Sequence, residues 1–398
     1  MWVRCMTWPV WGVGMDWIAL SRDGALPVVA AMCLTLTACG AGGGSDTSSG
    51  ANPNPNAVVI SPGQALAQCP LFPPQAVFNT RIDDVGRFPK HTRSDAWVSS
   101  VSGTRRFHPD WGNEANPEES SSYYGIPFNV VDGQASSTDW AAIQFAASGS
   151  APDESDCAVG SGTSWTIQRG CQSVGAPHFP VPSTGTVLTE GGACNDPATC
   201  GDHHLLVLES GACRLWEAYQ GYRSGGQWSV SSVAAWDLNS MAMRPATWTS
   251  ADAAGLPILP LLARADEASS GTVTHALRVT FAPSVMDGDP VWPASHRAGS
   301  ARAGAIPLGA ALRLKASFVP PSNWTTQAKA LAVGMQRYGL YVADFGSNLF
   351  VQGEPNASWS MDTIDQLKTL SMSDFEFVDM RAVTGDSRFN SSSYQAAW

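Results

Sequence analysis

Lysine is in shortest supply: the 398-residue chain holds only Lys90, Lys315, Lys329 and Lys368. Charged residues of all kinds make up 14% of it, where about 25% is usual in soluble proteins, and the formal net charge is −11. A chain so poor in cations has no basic stripe to neutralise phosphate, which argues against nucleic acid as a partner. It argues equally against docking on anionic lipid, so a membrane link has to be covalent.

A run long enough to span a bilayer is missing as well. Residues 25–38 (ALPVVAAMCLTLTA) are apolar, but about 14 residues suit the core of a signal peptide rather than a span. Familiar catalytic signatures are absent too. There is no Gly-x-Ser-x-Gly elbow, no phosphate loop ending in Gly-Lys, no His-Glu-x-x-His and no dinucleotide fingerprint. Cofactor redox chemistry, nucleotide hydrolysis and zincin proteolysis all recede, while a peptidase or esterase of another type stays open. No internal repeat is present.

The apolar run ends in Leu36-Thr37-Ala38-Cys39. This tetrapeptide resembles the bacterial lipobox, which implies cleavage before Cys39 and lipidation of its thiol. Gly40 stands where an inner-membrane retention signal would place Asp, so the outer membrane is favoured where the host has one. Arg22 is followed by Asp23, and residues 1–14 form an unusual Trp-rich prelude, which makes Met15 a plausible true start. The expected organisation is a signal peptide over 1–38, a lipidated Cys39 with tether over 39–68, one β-rich domain over 69–383, and a frayed tail over 384–398. The stretch 40–56 (GAGGGSDTSSGANPNPN) is low-complexity and cannot build a core. As a leash it would reach about 20–25 Å.

From about Phe72 the chain turns into short β-prone runs bounded by Gly, Pro, Asn and Ser. These fall at 126–131, 140–145, 204–209, 213–219, 228–237, 275–281 and 312–318. The runs 205–208 and 213–219, joined by Glu209-Ser210-Gly211-Ala212, read as a hairpin. Strands at this spacing predict a mainly β fold, a β-sandwich or jelly roll. Helical periodicity is confined to the C-terminal third, where two short helices are expected. Residues 325–338 place Ala328, Leu331, Met335 and Tyr338 on one face, and 362–370 carry an acidic first turn.

Beyond the leader and the lipidated Cys39 six cysteines remain, and in an exported chain they read as three disulfides. Spacing cannot choose the connectivity. The expected pairs are Cys69 with Cys213, Cys157 with Cys171, and Cys194 with Cys200, each closing a loop without a core of its own. Zinc is the rival use, but no C-x-x-C or H-x-x-x-H spacing supports it. No cofactor is expected. The one metal for which there is a candidate loop is calcium, through the oxygens of Asp153-Glu154-Ser155-Asp156.

Several segments together resemble a group of secreted bacterial and fungal proteins of about this size. They include Arg93-Ser94-Asp95-Ala96-Trp97, Phe107-His108-Pro109-Asp110-Trp111-Gly112 and Gly201-Asp202-His203-His204. The block 237–260, His275-Ala276-Leu277-Arg278, Val291-Trp292-Pro293-Ala294-Ser295-His296 and Ala343-Asp344-Phe345-Gly346-Ser347 complete the set. The resemblance spans residues 78–379 and implies homology without assigning an activity. The chain departs from that pattern by two inserted cysteine loops, by His203 where arginine is usual, and by Phe345 where asparagine is usual.

Carboxylates, histidines and tryptophans carry the remaining chemistry. Glu217 lies in Leu215-Trp216-Glu217-Ala218-Tyr219, and Asp202 and His204 begin the preceding strand, so Asp202 and Glu217 could meet on one sheet face. Asp252 and Glu267 lie in and just after the 248–260 loop. Two carboxyl groups about 5–10 Å apart are what glycoside hydrolysis requires, and Glu217, Asp252, Glu267, Asp202 and His204 are the candidate catalytic residues. Trp97, Trp111, Trp140, Trp216, Trp228, Trp236, Trp248 and Trp292 would suit stacking on sugars or a buried core. Trp248, His275, Trp292 and His296 are the candidate binding residues. The plainer readings make Ser250 or Asp252 a cap, His204 and His275 satisfied strand-edge histidines, and Glu217 an ordinary exposed residue. The expected function is that of an exported, surface-anchored lipoprotein acting as a glycoside hydrolase on extracellular polysaccharide. The alternative is a non-catalytic lipoprotein that binds glycan or cell wall.

Overall fold

The structure, a computed structural model, describes residues 65–145 and 149–398. The signal peptide, the lipobox with Cys39 and the stretch 40–56 lie outside the described residues. Among those described, no helix is long and apolar enough to cross a membrane.

The strand Leu205–Ser210 begins as an unbroken apolar run instead of an alternating one. A strand of that kind needs cover on both faces, and it has it. Leu206 and Leu208 join one buried cluster, while Leu205 and Val207 join another. Its partners Arg214–Tyr219 and Ser232–Asp237 divide in the same way, with Leu215, Ala234 and Trp236 on the first side and Trp216, Ala218, Val233 and Ala235 on the second. Phe128–Asp132 completes this four-stranded central sheet, running parallel to Leu205–Ser210.

The second side is closed by a six-stranded sheet that includes Thr138–Gln144, Asp156–Ser161 and His178–Pro182. Its Ile143, Ala158, Phe179 and Val181 pack in the same cluster as Trp216, so these two sheets make a β-sandwich. The first side packs in one larger cluster with a second six-stranded sheet. That sheet is built around the parallel pair Leu277–Phe281 and Leu340–Phe345, with Phe350–Gln352 and His108–Asp110 toward one edge. The chain is mainly β, as expected, but has one more layer than a simple sandwich.

The helices need correction. Those expected near 325–338 and 362–370 are present as Thr326–Arg337 and Met361–Leu367. The Thr325 hydroxyl caps the first by accepting from the Ala328 N–H at 3.0 Å. Three more occur among the described residues: Ser94–Val101, Ala265–Ser270 and Arg381–Thr384. Ser94–Val101 overturns the confinement of helix to the C-terminal third. Only Ser94, Trp97 and Val101 are buried on it, and the interspersed serines leave the apolar stripe too thin to read.

The run 228–237 proves to be two strands, Gln227–Ser229 in the outer sandwich sheet and Ser232–Asp237 in the central one, so the chain changes sheet at Val230 and Ser231. The tail does not fray. Tyr394 is fully buried against Phe72, Phe78 and Trp236, and its backbone is held by the Val77 N–H and the Met241 carbonyl, each at 2.7 Å. Ala65–Leu66 already pairs with Cys69–Pro70, so the domain begins inside the segment expected to be tether.

All three disulfides are formed in the anticipated pairing, Cys69–Cys213, Cys157–Cys171 and Cys194–Cys200. The thiols a zinc site would need are thereby consumed.

Candidate functional site

One end of the central sheet gathers the start of Leu205–Ser210, the end of Arg214–Tyr219 and the start of Ser232–Asp237, because Ala218 pairs with Leu205 and Tyr219 with Ser232. The loop 249–253 and the end of Leu340–Phe345 meet it there. Together they line a cavity of about 230 Å³ whose polar walls include Asp202, Tyr219, Ser232, Asp252 and Asp344. That is below the roughly 300–1,000 Å³ of enclosed small-molecule sites.

Asp344 reaches the cavity through a backbone irregularity. In the parallel pair, Val279 faces Val342 but Thr280 faces Asp344, so Ala343 is an extra, bulged residue. Without it Asp344 would stand opposite Phe281 and point to the other face. With it, Asp344 shares a face with Thr280 and Arg278. Asp252 is placed by a turn in which its N–H donates to the Ser250 hydroxyl at 2.9 Å, while that hydroxyl donates to Leu256 O at 2.8 Å. Ser250 therefore stabilises a loop, not a helix start. Gly255 closes the turn at φ +72°, where a β-carbon would lie 2.7 Å from Ser295 Oγ.

The two carboxyls are electrostatically coupled. Arg278, itself buried, donates from Nη2 to Asp252 Oδ1 at 2.8 Å, and among the described residues Asp252 Oδ2 has no hydrogen-bond partner. Asp344 accepts from the N–H of Phe345 at 2.6 Å. Burial, reinforced by the Asp252 charge, pushes the Asp344 carboxyl well above the usual range. Burial raises Asp252 too, but the Arg278 guanidinium opposes it. Two coupled buried carboxyls cannot both ionise cheaply. Both are raised, Asp344 well above the usual range, and the Arg278 guanidinium opposes the rise at each.

Around this pair lies a wider charge cluster. His204 Nδ1 donates to Glu190 Oε2 at 2.6 Å and Nε2 donates to Ala251 O at 2.9 Å. Both ring nitrogens face acceptors, so the imidazole is cationic. Burial alone would lower its pKa, but the Glu190 carboxylate lifts it to about 9. Asp110 is pushed up to about 6 by burial, with Glu190 adding to the rise. Asp202 is exposed at the rim and accepts from the Tyr219 hydroxyl at 3.3 Å.

Of the residues expected to be catalytic, the structure brings Asp252 and Asp202 to this cavity, with His204 behind it. Glu217 and Glu267 stand elsewhere. Glu217 is neither catalytic in placement nor exposed: it is fully buried and accepts from Ile258 N, Leu259 N and Trp236 Nε1, each at 2.9 Å. Glu267 is buried at the start of Ala265–Ser270 between Arg264 Nη2 at 2.8 Å and His275 Nε2 at 2.8 Å. Both are committed to holding the fold, and the pairing of Glu217 or Glu267 with Asp252 across a groove is not formed. Asp344, Arg278 and Glu190 went unnoticed among the candidates. A signal was present, since Arg278 and Asp344 interrupt the apolar strands LRVTF and LYVADF, and charges placed there must find one another.

The expected binding residues do not form one surface. His275 belongs to the Glu267 network. His296 Nδ1 meets Ala253 O at 2.8 Å and so straps the cavity loop. Trp292 holds the tail through Nε1 to Ser393 O at 3.1 Å, and Trp248 packs over the Arg244 guanidinium at 5.7 Å. Trp97, Trp111, Trp216, Trp228 and Trp236 are buried, and Trp140, Trp248 and Trp292 are half-buried, so the tryptophans serve the core more than a sugar platform. In the loop considered for calcium, Asp156 is paired with Arg244 and, at 3.2 Å, with Arg169, and Glu154 accepts from Thr249 N at 2.9 Å. Guanidinium groups occupy the Asp156 oxygens that a calcium ion would need. Among the described residues no cluster of three or more His, Cys, Asp or Glu side chains has metal-holding geometry.

Comparison with family models, with curated proteins and with solved structures yields no match to this chain.

Proposed function

We propose that this chain is an exported, lipid-anchored hydrolase that cleaves glycosidic bonds of an extracellular polysaccharide at the Asp252–Asp344 cavity. The observation that carries this reading is one cavity that gathers three carboxyl groups, Asp202 at its rim with Asp252 and Asp344, Asp252 being fixed by Arg278. Asp344 is the general acid. It protonates the leaving glycosidic oxygen as the C–O bond breaks, and the resulting charge is shared with Asp252 beside Arg278. Asp202, with the Tyr219 hydroxyl, accepts the proton of the water that attacks the anomeric carbon. The anchor rests on Leu36-Thr37-Ala38-Cys39, and the disulfides fit an oxidising compartment.

A panel of polysaccharides assayed for reducing-end release between pH 4 and 8 tests the activity. Asp344→Asn should cost at least about 100-fold in kcat, with the melting temperature retained. Release by wild type on no substrate, or undiminished release by the variant, removes the hydrolase reading and leaves glycan binding without catalysis. Separately, Cys39→Ser should move the protein from the membrane fraction to the soluble one. Equal fractionation of both forms removes the lipid anchor.

A further inference from the structure

The strongest feature outside the acidic cavity is a basic groove. Its volume is about 720 Å³, and its walls include Arg105, Arg106, Lys368, His108 and Phe350, with no Asp or Glu among them. In a chain of net charge −11 with four lysines, that concentration is unusual. Arg105, Arg106 and Lys368 are exposed, and the nearest compensating acid is Asp365, 3.5 Å from Lys368 Nζ. Arg105 is oriented by donating from Nε to Asn348 O at 2.9 Å, and Arg106 by donating from Nη1 to Thr369 O at 2.5 Å, so each guanidinium keeps further N–H groups for a ligand. Beside them the His108 and Phe350 rings stack at 3.9 Å, with the Arg105 guanidinium 5.8 Å from the Phe350 ring centre.

We infer that this groove binds an acidic polysaccharide, one whose sugars carry carboxylates, and so names the substrate class of the hydrolase proposed above, on which that part of the inference rests. Guanidinium forks match carboxylates in pairs, and an aromatic face beside them suits the apolar face of a sugar ring. Nucleic acid is the less favoured polyanion. Its charges recur about every 1.7 Å along a duplex, which three cations on a net-acidic protein match poorly, whereas a polyuronate carries one charge per sugar. His108, on the groove wall, belongs to the edge strand His108–Asp110, which pairs with Phe350–Gln352, so the strand pair sets His108 beside Phe350.

The test is affinity electrophoresis of the folded domain through gels containing polygalacturonate, neutral dextran or single-stranded DNA, at low and at about 0.3 M salt. Polygalacturonate should retard wild type at low salt, less at high salt, and dextran should not. Arg106→Gln/Lys368→Gln should weaken that retardation at least tenfold with an unchanged melting curve. Asp344→Asn should be retarded like wild type, which separates failure of binding from failure of catalysis. Absence of retardation, equal retardation of the double variant, or tighter binding to DNA than to polygalacturonate would each overturn the assignment. Should the double variant melt early, Lys368→Gln alone serves, since Lys368 is exposed on its helix end.

Discussion

His204 and Glu190 illustrate how a single buried pair sets a pH window. In the fold His204 titrates near 9 against an ordinary value of about 6.5, so protons favour the folded state. Its contribution is complete below about pH 6.5 and is lost as pH rises through about 9. Glu190 is held below its ordinary range, chiefly by the His204 charge working against burial, so its part is lost as pH falls below about 4.5. His204→Gln should therefore flatten the fall in melting temperature between pH 7 and 9.5 and cost about 2 kcal/mol at pH 7. An unchanged alkaline slope would refute the pairing. Glu217 permits an opposite prediction. Glu217→Gln places an amide NH₂ where Ile258 N–H, Leu259 N–H or Trp236 Nε1–H now donates, and should cost about 2–3 kcal/mol in denaturant unfolding. The folded fraction should retain wild-type turnover, because this carboxylate faces no substrate.

At the scale of elements, the C-terminal segment behaves as part of the core. Tyr394 fills a pocket of aromatic rings, so Tyr394→Ala should cost about 3–5 kcal/mol. Among the described residues its buried hydroxyl has no hydrogen-bond partner. Tyr394→Phe should consequently be neutral or stabilising by up to about 1 kcal/mol, and urea midpoints of the two variants check both. Much of the element order could be read beforehand. The hairpin joining Leu205–Ser210 to Arg214–Tyr219 carried its own turn chemistry, and the helix Thr326–Arg337 carried its periodicity. Ser94–Val101 could not be read, because two buried apolar side chains, Trp97 and Val101, one turn apart among serines give no stripe. The sheet change at Val230–Ser231 was equally hidden, since a β-prone run does not state which partner each half will find.

For the molecule as a whole, Cys69–Cys213 matters most, closing a loop with a sequence separation of 144 between the first described strands and the central hairpin. Loop-closure entropy for that length amounts to about 5 kcal/mol. Cys69→Ser/Cys213→Ser should lower stability by about 2–5 kcal/mol, whereas removing Cys194–Cys200, with a separation of 6, should cost clearly less. Equal losses in melting experiments would contradict this ordering. By itself the amino-acid sequence determined the mainly β class, the number of disulfides and the position of the hairpin, because alternation, turn residues and cysteine count are local properties. Only the tertiary structure decided which carboxylates meet. Glu217 and Glu267 were drawn into backbone and arginine partners, while a one-residue bulge at Ala343 turned Asp344 toward Asp252. That choice depends on which face each strand presents to a distant neighbour, and no local pattern encodes it.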